Sequence, residues 1–294
     1  MDDKTLGAYE NLLEKFILLA SNEENIRLVF IVGSRARKNC PADEWSDLDL
    51  VIAANNPEDL LNKTEWLNYI GIPRITFLER TAVGGGLERR VLFDGGLDVD
   101  FAIFPVQLIS HLGNNPESMK VLSRGFKIVL DKDNLMKDLS LPTEDTVPHP
   151  KPREKDFINL INDFWYHSVW TAKKLRRGEL LEAKLCCDIY MKNLLFQVLR
   201  WYTYATKGWN YDTWHEARFF EKWVDSSILA EMERIYAHYE GEDIWNALFS
   251  TIDLFRRLAK ETSALLDYQY PTDADNYAST FVMFLYRDKL SQDS

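Results

Sequence analysis

The sequence predicts an α+β protein: a mixed sheet flanked by helices in the first half, followed by an all-helical bundle. Two contrasting periodicities and one break between them carry this reading. Up to residue 138, short apolar runs alternate with polar helical stretches, whereas from residue 154 apolar residues recur at i, i+3, i+4 and i+7 over long windows. The stretch between, LSLPTEDTVPHPKPR over residues 139–153, holds four prolines and almost no apolar periodicity, which is the composition of an extended linker. A chain of 294 residues is long for one domain and comfortable for two. The expected division is 1–138, a linker at 139–153, and 154–294.

Taken in order, residues 11–20 read as a helix, 26–32 as a strand and 49–53 as a second strand, with a helix around 57–70. Residues 75–78, 88–93, 97–104 and 127–130 are dense in β-branched and aromatic side chains and read as strands. Asp94-Gly95-Gly96 is a hairpin-type turn between two of them. Beyond the linker, FINLINDFWYHSVWTAKKLRRGEL and LLEAKLCCDIYMKNLLFQVLRWY are amphipathic helices. Further helices are expected over 216–223, 227–239, 244–266 and 275–289, separated by the turn signals KGWN and EGED.

Composition excludes several function classes. Thirty-five basic against 46 acidic residues give a formal charge of −11, a field that repels polyanions, so no nucleic-acid partner is expected. No apolar run approaches the roughly 20 residues that span a bilayer, and the start lacks the basic flank and apolar stretch of a signal peptide. A cytoplasmic protein without a membrane partner is expected. Cys40, Cys186 and Cys187 have no metal-type spacing and read as reduced thiols. The five histidines are scattered, giving no zinc site, and no Gly-x-Ser-x-Gly elbow or Walker-type loop occurs.

The stretch IVGSRARKNCPADEWSDLDLVI concentrates the chemistry. An apolar strand runs into Gly33-Ser34, where glycine lets the backbone turn and a phosphate approach, and where Ser34 and nearby amides can bond phosphate oxygens. Asp47 and Asp49 then share one face of a strand start while Leu48 points to the other. Two such carboxylates suit magnesium, a hard cation that commonly takes one or two protein carboxylates and completes its shell with phosphates and water. In VLFDGGLDVDFAIFP, Asp98 and Asp100 also share a strand face. If that strand lies beside the one carrying Asp49, three carboxylates could cradle two magnesium ions about 4 Å apart. An Asp-x-Asp or a Gly-Ser taken singly is more often a solvated strand face or an ordinary turn; the ordered set is far more specific. Either Asp100 or Glu88 could accept a proton from an attacking hydroxyl. Trp45 is the most suggestive of the aromatic side chains for stacking on a base or sugar ring.

The segment GSRARKNCPADEWSDLDLVI resembles the nucleotide-binding motif of the DNA polymerase β-like nucleotidyltransferase superfamily: Gly-Ser, a spacer, then Asp-x-Asp. A similarity over nearly the whole chain, through EWLNYIG, VLFDGGLDVDFAIFP, AKKLRRGELLEAK, LRWY, IWNALFSTIDLFRRLA and LDYQYP, is to the aminoglycoside 6-adenylyltransferase (streptomycin adenylyltransferase) family. That resemblance implies an active site between the two domains and transfer of AMP from magnesium-ATP to an aminoglycoside hydroxyl, with pyrophosphate released. It implies Asp47, Asp49 and Asp100 as catalytic metal ligands, Asp100 being preferred to Asp98. It also implies Gly33, Ser34 and Arg35 as the phosphate-binding turn, and it singles out Lys173 among the basic residues of its helix as a triphosphate contact. The chain departs from the resistance enzymes in FLERTAVGGGLERRVLFDGG and WNYDTWHEARFFEKW, which leaves the acceptor open. The alternatives are another small-molecule or protein hydroxyl, or a catalytically silent nucleotide-binding relative.

Overall fold

A computed structural model describes residues 3–37, 42–137, 139, 148–214 and 217–293. Most of the proline-rich stretch expected as a linker, residues 140–147, lies outside them, as does Cys40. The chain forms two compact units, 1–147 and 148–294.

The first unit is a six-stranded mixed sheet. Helix α1 (Asp3–Asn22) leads into β1 (Ile26–Val32), and β2 (Leu48–Ala54) is followed by the short helices α2 (Pro57–Asn62) and α3 (Leu67–Ile70). Then come β3 (Pro73–Arg80), β4 (Leu87–Phe93), β5 (Leu97–Pro105), a 3-10 segment (Val106–Asn114), α4 (Pro116–Ser123) and β6 (Lys127–Asp131). The strand order is β3-β4-β5-β2-β1-β6. Only the β2–β5 pair is parallel, and it sits in the middle of the sheet.

Strand alternation separates the two faces. Leu48, Leu50, Val99 and Phe101 pack against Leu12 and Phe16 of α1 and Trp66 and Leu67 at the start of α3. Phe101 is the hub, its ring 5.3 Å from Phe16 and 5.0 Å from Trp66, both edge-on, the arrangement that aromatic quadrupoles favour. On the other face Leu28 and Phe30 meet Ile109 of the 3-10 segment and Leu122 of α4. The intervening residues of β2 and β5, Asp49 and Asp100 among them, therefore turn away from the larger core.

One expected helix is divided. Over 57–70 the chain extends at Lys63, because the Trp66 indole donates to the carbonyls of Leu60 and Lys63, taking up acceptors that a continuing helix would use.

Among the described residues the second unit has helices and no strand: α5 (Glu154–Arg176), α6 (Leu180–Leu185), α7 (Met191–Lys207), α8 (Phe220–Trp223), α9 (Ser226–Met232), α10 (Gly241–Leu266) and α11 (Thr272–Asp293). The second amphipathic window is interrupted by a π turn at Cys186–Tyr190. There the buried Lys192 ammonium donates to the Cys187 carbonyl and to Thr251 Oγ1, 3.0 and 2.8 Å away, tying the irregular turn to α10. The helix expected over 227–239 ends at Met232, and that over 216–223 begins at Phe220, residues 215–216 lying outside the described set. Phe164 of α5 stacks on Phe255 of α10 in a core that also holds Trp165 and Trp245. Among the described residues no helix is long and apolar enough to cross a membrane.

Candidate active site

Strand β1 ends at Val32, and Gly33–Arg35 form a single 3-10 turn. Gly33 has φ +69°, a left-handed conformation that glycine adopts without steric cost. A second constraint acts there. A Cβ on Gly33 would lie 1.9 Å from Asp49 Oδ2, so the carboxylate rests directly on the glycine backbone. The next side chain, Ser34, buries its hydroxyl oxygen without a hydrogen-bond partner among the described residues. A buried hydroxyl left unpaired costs free energy unless a ligand satisfies it. Arg35 faces the other way: its guanidinium lies 3.7 Å from the Tyr9 ring centre and donates to the carbonyls of Ser46 and Asp47. It clamps the approach to β2 and so fixes where Asp47 stands.

The parallel register of β2 and β5 places Asp49 directly beside Asp100. One carboxylate oxygen from each of Asp47, Asp49 and Asp100 lies within 4.8 Å of the others. These are the three residues expected from the sequence, brought together from β2, the segment just before it and β5. Burial next to Asp47, Asp100 and Glu88 pushes the Asp49 carboxyl up to about 7, because desolvation first and like charges second disfavour its ionised form. Asp100 and Glu88 are also pushed above the ordinary carboxylate range, burial being the main cause in each. Three crowded acids, oxygen donors only, fit one or two divalent cations and the phosphates they carry, since magnesium commonly takes one or two carboxylates from a protein and completes its shell with phosphates and water.

A neighbour not expected from the sequence is Arg90 of β4, which stands opposite Asp100 in the antiparallel β4–β5 register. Its Nε and Nη2 donate to the two Asp100 oxygens at 2.8 and 2.6 Å, a bidentate fork, and Glu79 lies 3.3 Å from the same guanidinium. Glu88 stays 4.0 Å from Arg90. The signal was present. The glycine pair of the Asp94-Gly95-Gly96 turn has φ +80° and +76°, and counting outward from that turn pairs Arg90 with Asp100. Asp98, on the same face, receives no Arg90 fork, and its backbone amide donates to the Tyr9 hydroxyl at 3.0 Å. Trp45 stands 86% exposed just before the pair of aspartates. Lys173 belongs to the second unit, on α5, with its ammonium 5.6 Å from the Phe281 ring centre.

Nucleotidyl transfer is the chemistry served by acids set this way on a mixed sheet, below a glycine-serine turn, and the chain is a nucleotidyltransferase. More narrowly, the streptomycin adenylyltransferase family model matches residues 7–285, and the chain belongs to that family. It is similar to an aminoglycoside 6-adenylyltransferase of Bacillus subtilis (strain 168), 26% identical and covering 89% of this chain and 92% of the relative. A protein of the same description from Campylobacter jejuni is 24% identical over 86% of this chain and 87% of its own length. The crystal structure of an aminoglycoside 6-adenyltransferase from Bacillus subtilis aligns over 94% of this chain and 97% of that one, with 21% identity and a TM-score of 0.46.

Proposed function

We propose that the chain transfers AMP from magnesium-ATP to a hydroxyl of a small cationic acceptor of the streptomycin type, releasing pyrophosphate. The observation that carries this reading is the convergence of Asp47, Asp49 and Asp100, with Asp49 resting on the Gly33 backbone that leads into the unpaired Ser34 hydroxyl. Family membership supplies the reaction class, and the names of the relatives supply the acceptor class.

In this reading Asp47, Asp49 and Asp100 would hold magnesium, which supplies positive charge against the negative charge that gathers on the phosphoryl oxygens. Ser34 Oγ and the amides of the Gly33–Ser34 turn receive phosphate oxygens, and Arg35 keeps the Asp47 loop in place while they do so. Lys173 is a further candidate for the triphosphate, carried over from the family resemblance. A bond forms between the acceptor oxygen and the α-phosphorus, the bond from that phosphorus to the bridging oxygen breaks, and pyrophosphate leaves. The acceptor proton passes to a carboxylate. Asp100 is committed to the metal and to the Arg90 fork, whereas Glu88 lies 4.0 Å from that guanidinium; these contacts favour Glu88 as the base. Such a protein works in the cytoplasm, where ATP is abundant, and would protect its host against the antibiotic it modifies.

The test is incubation with ATP, magnesium and a panel of aminoglycosides, read by mass spectrometry for a gain of AMP. Asp47→Asn and Asp49→Asn should each lower transfer by about a thousandfold or more while circular dichroism stays unchanged. Transfer at the wild-type rate by either variant would refute the metal assignment.

A further inference from the structure

The two edges of the sheet are built differently. At one edge β6 has five residues, starts at Lys127, ends at Asp131 and shifts its register opposite Val29 and Phe30. Short length, charge and bulges are the features by which natural edge strands keep their unpaired N–H and C=O groups from templating another strand. At the other edge β3 has eight residues, where strands commonly run to about five or six, and its one register shift lies at its start, between Pro73 and Ile75. The middle of β3, Ile75, Thr76, Phe77 and Leu78, carries no charge and no proline.

Both faces of this middle stand open. Ile75 and Phe77, 59% and 50% exposed, lie on the face of Arg90, with which Phe77 pairs, and Leu78, 42% exposed, lies on the other. The charges nearest the middle are compensated within the same sheet: Arg74 meets Asp94 at 2.8 Å, and Glu79 lies 3.3 Å from Arg90. Neither offers a lone charge to an approaching strand. The direction of the backbone groups follows from the turn into β4. The Thr81 amide donates to the Gly86 carbonyl at 3.1 Å, so the main chain of Thr81 faces β4. By alternation that of Glu79, Phe77 and Ile75 does too, and Thr76 and Leu78 turn their N–H and C=O outward.

We propose that β3 is an interface between two copies of this chain, the two edges pairing antiparallel about a two-fold axis at Thr76 and joining the two sheets into one. The choice of a second copy and of its register comes from self-complementarity. An antiparallel pair related by a two-fold axis centres on one residue and its own copy. Centred on Phe77, the pairing sets Arg74 against the partner's Arg80; centred on Leu78, it sets Phe77 against the partner's Glu79; centred on Ile75, it runs through the register shift at Pro73. Centred on Thr76, the two Thr76 residues exchange both main-chain bonds, and Ile75 of each copy lies opposite the partner's Phe77. Two aromatic pairs with a β-branched residue then flank the axis, and no like charges are directly opposed.

Stable protein interfaces bury roughly 1,200 Å² or more, and one pair of short strands falls at the low end, so the association is reversible. Sedimentation equilibrium of the full-length protein from about 1 to 200 µM should show the single chain giving way to a species of twice its mass. Thr76→Lys sets two ammonium groups directly opposite each other and should weaken the association at least about fivefold, with circular dichroism verifying the fold. The register has its own readout. In a pair without main-chain bonds the Cα atoms lie about 4.5 Å apart, within reach of a disulfide. Ile75→Cys mixed with Phe77→Cys and mildly oxidised should therefore give a covalent dimer holding one copy of each, seen by mass spectrometry, which neither variant nor the wild type forms alone. A single chain at every concentration would overturn the proposal. So would a dimer that Thr76→Lys leaves intact, a mixture that yields no cross-linked pair, or cross-linking of Phe77→Cys by itself, which would centre the pairing elsewhere.

Discussion

At the scale of single residues, the contact between Gly33 and Asp49 sets the terms. Any side chain at position 33 would have to displace the carboxylate that touches it, and would also be held at φ +69°. Gly33→Ala should therefore cost transfer activity by at least about a hundredfold, the scale at which displacing a reacting group by an ångström acts. The melting temperature should change far less than activity, since Gly33 contributes no side chain to the core; equal activity in the variant would show the contact to be dispensable. The Asp49 carboxyl also gives the metal-free protein a pH dependence. Its value rises from 3.8 to about 7 on folding, so between about pH 4 and pH 7 the native state holds a proton that the unfolded chain has released. Stability then falls as pH rises through that window and levels off above it. Asp98, Asp100 and Glu88 are shifted in the same direction and add to the slope. Melting curves in EDTA at pH 4.5, 6 and 8 should show this decline, and Asp49→Asn should make it shallower; an unchanged slope would contradict the assignment to Asp49.

At the scale of elements, alternation made the strands legible, and Asp47, just before β2, could be placed on the same side as Asp49 from spacing alone. The hairpin turn likewise fixed β4 against β5, so Arg90 could have been paired with Asp100 by counting. The parallel pairing of β2 with β5 was not legible, because nothing local to either strand records a neighbour reached through two helices and two more strands. For a similar reason the split of residues 57–70 was hidden: it follows from where the Trp66 indole finds its acceptors, a tertiary fact. The π turn at Cys186–Tyr190 is another, since its tie to α10 runs through a lysine that composition would place on the surface. The element most exposed to test is β5. Phe101 neighbours Asp100 and packs on both Phe16 and Trp66, so Phe101→Ala should destabilise the first unit by about 3–5 kcal/mol, measured by urea denaturation. A loss below about 1 kcal/mol would mean that the aromatic cluster does not anchor the strand.

At the scale of the whole molecule, two compact units make up one acidic chain. The formal charge of −11 favours the approach of a cationic acceptor and opposes that of ATP. Raising the salt from about 0.02 to 0.3 M shortens the reach of that field severalfold. The apparent affinity for a polycationic acceptor should then fall while the KM for ATP does not rise; opposite behaviour would show that the net charge takes no part in capture. The parallel joint at the centre of the sheet carries a different consequence, one of timing. Asp49 and Asp100 are separated by about fifty residues that must fold back before the two strands meet, and closing so long a loop has an entropic cost that only the finished sheet offsets. A growing chain that has not yet emerged past β5 owns two of its acids and lacks the third, so the three-carboxylate cluster cannot close before β5 has paired with β2.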